Sequence, residues 1–284
     1  TGPAYWRPQV PHLVGYNLPH YIYRDSPFFS KLSMLEKFKW DAKGCVIKYF
    51  LKRDADAYVV QTDDVNQRLK KLLDVEKVYT VSNTVSHYYL NPKTVEPKLP
   101  KKTKGEFRFV TLSAWHRHKN LGIIPQVIKA LPKNIRDRVR FVLTLPENDF
   151  KKEIPERYHS NVYNVGPVPP EEGPSLYKEC DALFLPTLLE CFSASFAEAM
   201  QMKKPIITSD LGFAHSVCRG AALYADPMNP KEIAERITVL VDDLKLQEQL
   251  VKNGLEKVKS FANPKKRAKT YLRICKELVD ENEE

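Results

Sequence analysis

Long hydrophobic runs, paired cysteines and glycine-rich loops are all scarce in this chain of 284 residues. No stretch approaches the roughly 18 apolar residues that a membrane-spanning helix needs, and no signal-peptide pattern is visible. The five cysteines are odd in number and scattered, without a CxxC pair. This pattern favours reduced thiols in a cytoplasmic protein and argues against a disulfide framework. With only 10 glycines, no glycine-rich loop follows the first expected strand.

What is present indicates a globular protein with a basic surface. Hydrophobic residues make up 43% of the chain and aromatic residues 11%, and the length suffices for two domains with cores of their own. The formal charge is +10, and the segment from Arg24 to Arg53 alone holds eight basic and three acidic residues. A basic surface suits nucleic acid, an anionic membrane or an anionic substrate. No nucleic-acid motif accompanies it, so we expect no nucleic-acid partner; an ordinary solvated face remains the alternative to membrane contact.

The hydrophobic pattern predicts two series of alternating strands and helices, which is typical of parallel sheets. The first series comprises a strand within 10–18, an amphipathic helix over 30–53, a strand over 57–61, a helix over 65–73 and a strand over 78–82. We predict a partial N-terminal Rossmann-like domain over 1–90, a proline- and lysine-rich linker over 91–105, and a second Rossmann-like domain over 106–262. A final helix over 263–284 is expected to return to the first domain.

The segment 182–210 carries the most specific pattern. A buried strand over 182–185 ends at Pro186, a loop carries Glu190, and a helix begins near Ser193 with Glu198 in its first turns. Ligands bind at the carboxyl ends of strands in such sheets, and a helix N-terminus there suits a phosphate. Carboxylates repel a phosphate, so this pair suits the hydroxyls of a sugar or ribose.

This pattern resembles the signature of retaining GT-B glycosyltransferases, the large group 1 (family 4-like) class that uses nucleotide-sugar donors. The resemblance rests on Glu190-x7-Glu198, preceded by Pro-Thr and followed by Ala-Met, and on three further segments in the same order. These are LSAWHRHKNL at 112–121, NVGPV at 164–168 and AALYADP at 221–227. The resemblance implies two Rossmann-type domains facing a cleft. The first is short for that fold, so we expect some residues, roughly 80 to 100, to be absent upstream.

The resemblance also implies the cations that bind the donor diphosphate. Lys119 follows the strand over 107–113, immediately before a helix expected to start at Asn120, and the family places a lysine there against the diphosphate. Where the family has an arginine five residues earlier, this chain has Ala114. Arg117 is the candidate replacement, entering from a different point on the loop.

Around the helix at Ser193, the backbone N–H groups of Ser193, Ala194 and Ser195 are expected to bind phosphate, although Ser193 also suits a simple N-cap. Glu190 is expected beside the sugar ring, and Glu198 is expected to accept hydrogen bonds from the ribose hydroxyls. Phe192 in the same loop is a further candidate for donor binding, although an aromatic residue there favours the core. The remaining candidates are Thr144, Gly166 and Val168 beside the nucleobase, and His20 near the donor sugar.

We expect no metal and no cofactor. Asp54 and Asp56 match the Asp-x-Asp spacing of metal-dependent transferases, but they lie at the entry side of a strand, where a structural role is favoured. His116 and His118 need a third converging ligand to hold a metal.

The predicted activity is transfer of a sugar, with retention, from a nucleotide sugar to a glycan or lipid-linked acceptor in surface polysaccharide or glycoconjugate synthesis. Because such acceptors are membrane-bound, the basic stretch is expected to contact anionic membrane from the cytoplasmic side. The alternatives are a non-catalytic nucleotide-sugar-binding subunit, an inactive fragment, and a sugar-nucleotide 2-epimerase, whose group lacks the Glu-x7-Glu context.

Overall fold

The computed structural model describes residues 3–93 and 95–283. Thr94, within the predicted linker, and the chain ends at 1–2 and 284 lie outside the described residues. The chain forms two compact units. The first contains everything up to Thr84, the short segment Leu189–Phe192 and everything from Phe261 onward; the second contains Val85–Leu188 and Ser193–Ser260. The division therefore falls six residues before the predicted boundary at residue 90, and residues 91–105 go with the second unit.

The first unit is built on a three-stranded parallel sheet in the order β1-β2-β3. Its strands are β1 Leu13–Gly15, β2 Ala57–Val60 and β3 Val78–Thr80, and its helices are α1 Pro19–Ile22, α2 Met34–Asp54, α3 Asp63–Leu73 and α13 Pro264–Glu283. Ala57 and Val59 of β2 pack with Ile274 and Leu278 of α13. The C-terminal helix thus completes the core of the unit that contains the N-terminal strands.

Helix α2 differs from its prediction in its start and in the face that it buries. It begins at Met34, after a capping box in which Ser33 and Glu36 each bond the other's backbone N–H. The amphipathic pattern of the predicted helix rests on an apolar stripe that includes Leu35, Phe38 and Tyr49. This stripe faces solvent: Leu35 is 76% exposed, Phe38 71% and Tyr49 60%. The helix buries Ile47, Leu51 and Asp54 instead. Helical spacing shows that apolar residues share one face of a helix, but it does not show whether another part of the molecule covers that face.

The second unit is built on a six-stranded parallel sheet in the order β6-β5-β4-β7-β8-β9. The strands are β4 Phe107–Thr111, β5 Val139–Leu143, β6 Val162–Asn164, β7 Ala182–Leu185, β8 Ile206–Ser209 and β9 Ala222–Ala225. The helices are α4 His87–Leu90, α5 Ile124–Ala130, α6 Lys133–Arg136, α7 Glu147–Glu153, α8 Gly173–Glu179, α9 Ala194–Gln201, α10 Gly212–Cys218, α11 Pro230–Asp242 and α12 Leu244–Lys259.

The core of this unit lies along the central strands, which are buried on both faces, as parallel strands covered by helices are. Phe109, Phe141 and Phe184 come from three adjacent strands, and their ring centroids lie 5.3 to 6.4 Å apart. Asn-Pro-Lys-Glu at 229–232 is a typical helix start, and Asn229 caps α11: its side chain accepts from the N–H groups of Lys231 and Glu232. Across the described residues, no helix is both long enough and apolar enough to cross a membrane.

Candidate active site

The sheet of the second unit has the strand order of a dinucleotide-binding Rossmann sheet, and the order reverses between β4 and β7. These two strands are paired, with Phe109 opposite Ala182 and Val110 opposite Leu183. Chain segments that leave neighbouring strands on opposite sides open a crevice at the carboxyl edge, which is where such sheets bind ligands. The segments that leave β4 and β7 are the two that carry most of the predicted site residues.

The segment after β4 carries Lys119, and its local structure corrects the prediction of a helix beginning at Asn120. Arg117–Lys119 is a 3₁₀ turn, a second 3₁₀ turn follows, and α5 begins only at Ile124. Asn120 has a φ of +59°, a left-handed conformation that Asn tolerates better than most residues. Its buried side chain donates to the carbonyl of Pro227, 2.8 Å away. The left-handed backbone and the buried hydrogen bond of Asn120 hold this turn in place. Within the turn, Lys119 is half-buried and Arg117 is exposed.

The segment after β7 is bonded directly to the Lys119 turn. The carbonyl of His118 accepts two hydrogen bonds, one from the N–H of Leu188 at 2.7 Å and one from the hydroxyl of Thr187 at 3.2 Å. The Ser195 hydroxyl in turn donates to the carbonyl of Leu112 at 3.4 Å. No role of their own was predicted for the side chains of Thr187 and Asn120, although both residues lie within the segments that carry the resemblance. These bonds bring the predicted Lys119 loop and the predicted helix start together.

Helix α9 begins at Ala194 with Ser193 in the N-cap position, as predicted, but Ser193 makes no side-chain capping bond to the helix. The simple N-cap interpretation of its side chain is therefore wrong. Ser193 and Ser195 are buried and Ala194 is exposed. The first N–H groups of an α-helix have no partner within the helix, and with the positive dipole end they favour an anion. The start of α9 is suited to a phosphate group on these grounds.

Glu198 lies one turn into α9, where it is largely buried. Burial raises its pKa to about 7, and a hydrogen bond from the Tyr89 hydroxyl opposes this rise. Tyr177 is fully buried nearby, and burial together with the negative charge of Glu198 raises the pKa of its phenol far above the usual range. Burial raises the pKa of the Tyr89 phenol as well, so Tyr89 and Tyr177 both stay neutral at physiological pH. A carboxyl group with a pKa near neutrality is typical of functional sites.

Thr144, Gly166 and Val168 follow the neighbouring strands β5 and β6. The Thr144 hydroxyl accepts from the N–H of Ser113 and lies 3.1 Å from the Ser113 carbonyl, which ties the ends of β4 and β5 together. Gly166 has a φ of +72°, a left-handed conformation that favours glycine, and nothing lies within 4 Å of the place where a side chain would start. Val168 is half-buried in the same segment. The three positions follow strands adjacent to the Lys119 loop.

Glu190 and Phe192 lie in the short segment that clusters with the first unit. Glu190 is half-buried. The ring of Phe192 is buried and meets that of Phe261 edge-on, with centroids 5.5 Å apart. This ring therefore has a packing role, whereas the expected roles of both residues toward a donor stay predictions.

His20 lies in α1 of the first unit, within an aromatic cluster. Its ring stacks on Trp40 at 4.5 Å and meets Phe28 edge-on. Burial, with a smaller effect of nearby Lys43, lowers the pKa of His20 below its ordinary value, so the ring is neutral at pH 7. Its proximity to a donor sugar stays a prediction.

Asp54 and Asp56 both have structural contacts. Asp54 is paired with Arg53, and Asp56 accepts from the backbone N–H of His12 at 2.8 Å. Over residues 3–93 and 95–283, no group of three or more His, Cys, Asp or Glu side chains is arranged to hold a metal ion.

Comparison with known proteins identifies relatives of this chain. Residues 93–257 match the family of glycosyl transferases group 1. O-antigen chain mannosyltransferase B of Escherichia coli is 28% identical over 149 residues, which are 51% of this chain and 39% of that protein. N,N'-diacetylbacillosaminyl-diphospho-undecaprenol alpha-1,3-N-acetylgalactosaminyltransferase of Campylobacter jejuni is 34% identical over 83 residues, 28% of this chain and 22% of that protein. The chain thus covers well under half the length of either relative.

Solved structures show the fold. Sucrose-phosphate synthase of Thermosynechococcus elongatus superposes with a TM-score of 0.76 at 17% identity, over 95% of this chain and 68% of that one. WaaG, a glycosyltransferase involved in lipopolysaccharide biosynthesis, gives 0.72 at 12% identity, over 93% and 75%. HepE of Anabaena, in complex with UDP and glucose, gives 0.70 at 15% identity, over 93% and 71%. The predicted GT-B-like α/β fold class is confirmed.

Proposed function

Because the chain belongs to the group 1 glycosyl transferases, we propose that it moves a sugar from a nucleoside-diphosphate donor to a glycan or lipid-linked acceptor, with retention of configuration. One observation carries this assignment: the Lys119 turn is hydrogen-bonded to the segment that leads to α9, at the reversal point of the sheet. These bonds hold the turn that carries Lys119 against the segment that leads to the start of α9, and Glu198 lies one turn into that helix. This set of groups suits a diphosphate attached to a ribose.

In this reaction the bond between the sugar's anomeric carbon and the leaving phosphate oxygen breaks, and a bond to the acceptor oxygen forms on the same face. The acceptor's hydroxyl proton passes to the leaving phosphate. Lys119, with Arg117 on the same turn, and the N–H groups at Ala194 and Ser195 stabilise the charge that grows on the diphosphate, because preorganised donors act best where charge develops. Glu198 accepts from the ribose hydroxyls, and Glu190 contacts the transferred sugar.

Since protein cations and a helix N-terminus neutralise the diphosphate, we propose that the reaction needs no divalent metal. Thr144, Gly166 and Val168 border the nucleobase through backbone groups in this assignment. The acceptor belongs to the pathways of surface polysaccharides or glycoconjugates, as the names of relatives that build O-antigen and lipopolysaccharide suggest.

The proposed transfer reaction is tested by assaying the full-length protein with a panel of uridine, guanosine and adenosine diphosphate sugars, each with and without EDTA. We expect release of nucleoside diphosphate, a product whose anomeric configuration by NMR matches the donor, and full activity in EDTA. Donor binding by calorimetry without turnover on any acceptor would identify a non-catalytic binding subunit. Conversion of the donor sugar at its second carbon would identify an epimerase, and strict dependence on added manganese would overturn metal independence.

We also propose that α2 meets anionic lipid. Its exposed apolar side chains, among them Met34, Leu35 and Phe38, lie among exposed lysines. Apolar insertion combined with basic charge is what binds an interfacial helix to an anionic surface. The apolar residues alone suit any covering partner, whereas the excess of lysines is complementary to negatively charged headgroups in particular.

Vesicle sedimentation tests the membrane proposal. Changing Lys39, Lys48 and Lys52 to glutamine should weaken binding to phosphatidylserine vesicles on the order of a hundredfold, at about 1 kcal/mol per charge. The matched control changes three exposed lysines on one face of α12 to glutamine: Lys245, Lys252 and Lys259. Binding that is equal on neutral and anionic vesicles, or equal losses in both triple variants, would contradict a role for α2.

A further inference from the structure

Two buried tyrosines from outside α9 are attached to its first turns. Tyr89 on α4 is 4% exposed, and its hydroxyl donates a hydrogen bond to the carboxylate of Glu198. Tyr177 on α8 is fully buried, and its hydroxyl donates to the carbonyl of Ser195 at 3.3 Å. The two rings meet edge-on with centroids 5.8 Å apart. Neither tyrosine belongs to a segment that the sequence motifs singled out.

Gly173 at the start of α8 leaves the room that the Tyr89 hydroxyl occupies. A Cβ atom at this position would lie 2.4 Å from the Tyr89 hydroxyl oxygen and 3.2 Å from the ring carbon that bears it. The first distance is far below van der Waals contact, so any side chain here displaces the hydroxyl. The Tyr89 ring also contacts the ring of Tyr177 edge-on. Close packing therefore restricts the movement of Tyr89, whose hydroxyl bonds Glu198.

We propose that Tyr89 is a positioning residue of the donor site: its hydroxyl fixes the Glu198 carboxylate for the ribose hydroxyls, and Gly173 makes this placement possible. This role depends on the proposed function, because it requires that Glu198 binds the donor. An ionised carboxylate has about four acceptor sites. One bond from Tyr89 therefore leaves enough of them for two ribose hydroxyls, while it restricts the rotation of the group.

The same hydrogen bond favours the ionised form of Glu198. Among the described residues, the titratable groups that interact with Glu198 are Tyr89 from α4 and Tyr177 from α8. Burial raises the pKa of both phenols, so neither titrates near neutral pH. Burial raises the pKa of Glu198 to about 7 and the Tyr89 bond lowers it. Without that bond the pKa rises further. More of the group is then protonated at pH 7, and fewer acceptor sites remain for ribose.

The test compares Tyr89→Phe with Tyr177→Phe in the full-length protein. Each variant loses one buried hydroxyl and keeps its ring, but only Tyr89 bonds Glu198. Calorimetry from pH 5.5 to 9 measures the Kd for UDP and for 2′-deoxy-UDP. For Tyr89→Phe we expect UDP binding about tenfold weaker at pH 7, a midpoint of the pH dependence shifted upward, and a smaller preference for UDP over the deoxy form. Tyr177→Phe should retain the parent's midpoint and preference.

Gly173→Ala supplies a second variant, which displaces the hydroxyl without removing it and should change the midpoint in the same direction as Tyr89→Phe. A Tyr89→Phe protein with the parent's midpoint and ribose preference would overturn the positioning role. So would a Tyr177→Phe protein with the same changes, since the effect would then be one of packing. If the parent binds UDP but does not distinguish it from 2′-deoxy-UDP, the ribose assignment of Glu198 fails and the role of Tyr89 fails with it. If the donor panel selects another base, the same comparison is made with that nucleoside diphosphate and its 2′-deoxy form.

Discussion

Replacing Glu198 with glutamine should stabilise the second unit at alkaline pH while it weakens donor binding. Glutamine has nearly the same size as glutamate, and its amide oxygen still accepts the hydrogen bond from Tyr89. What it removes is the ionised carboxylate, which burial disfavours. A residue that is retained for ligand binding at a cost in stability is expected to show these opposite effects.

The magnitude follows from the two pKa values. Glu198 has a pKa of about 7 in the folded protein against an ordinary value of 4.5. The folded state therefore holds the proton more tightly than the unfolded state, so the stability of the parent falls as the pH rises from about 4.5 to about 7. A difference of about 2.5 between the pKa values corresponds to about 3 kcal/mol. The variant has no such group, and its advantage should grow from near zero at pH 4 to about 3 kcal/mol above pH 7.

The assay is urea unfolding at pH 5 and pH 8, followed by the fluorescence of Trp115, which lies in the second unit. Trp6 and Trp40 of the first unit are replaced by phenylalanine in both proteins so that they do not contribute. In parallel, the Kd for nucleoside diphosphate should rise about ten- to a hundredfold, the effect of losing a hydrogen bond to a charged group. The quantity compared is the difference in the free energy of unfolding between variant and parent. If this difference is no larger at pH 8 than at pH 5, the folded protein does not raise the pKa of Glu198, and the predicted effect on stability is refuted. Unchanged nucleotide affinity would refute the ligand role of Glu198.

Three further predictions concern single side chains. Lys119→Ala should lower kcat about a hundred- to a thousandfold, because it removes a preorganised cation from the leaving group; Lys129→Ala, an exposed lysine of α5, should change it little, and equal losses would contradict the assignment. Glu190→Gln should lower kcat with little effect on donor Kd, since Glu190 is assigned to the transferred sugar; a loss confined to Kd would instead indicate uniform binding. Glu106→Ala should cost about 3–5 kcal/mol in urea unfolding, because it leaves the buried Arg108 without its counter-charge; a cost below 1 kcal/mol would mean that the pair is solvated.

The strands and the motif-bearing segments were predictable because their signals are local. The buried run over 182–185, the proline that ends it and the helix after Ser193 lie within a few residues of one another, and β7 and α9 are found there. The cap at Asn229 is likewise a property of four consecutive residues. Patterns of this kind reflect periodicity and backbone capping, which operate within single elements.

The loop geometry was less predictable. A helix was expected from Asn120, but the left-handed Asn120 and its bond to Pro227, 107 residues away in the chain, hold two 3₁₀ turns there instead. No local pattern reports a partner at that distance. The same applies to the carbonyl of His118, which accepts from the segment after β7.

The α/β class, the two series of strands and helices, and the segments that carry Lys119, Glu190 and Glu198 follow from patterns along the chain. The environment of those three side chains depends on how distant segments pack. The apolar stripe of α2 has helical spacing whether it faces a core or solvent, so only the packed structure could show that Phe38 is exposed. The pKa of Glu198 depends on burial and on Tyr89, which lies more than 100 positions earlier in the sequence. Periodicity acts along the chain, whereas burial and hydrogen bonding between distant segments exist only once the chain has folded.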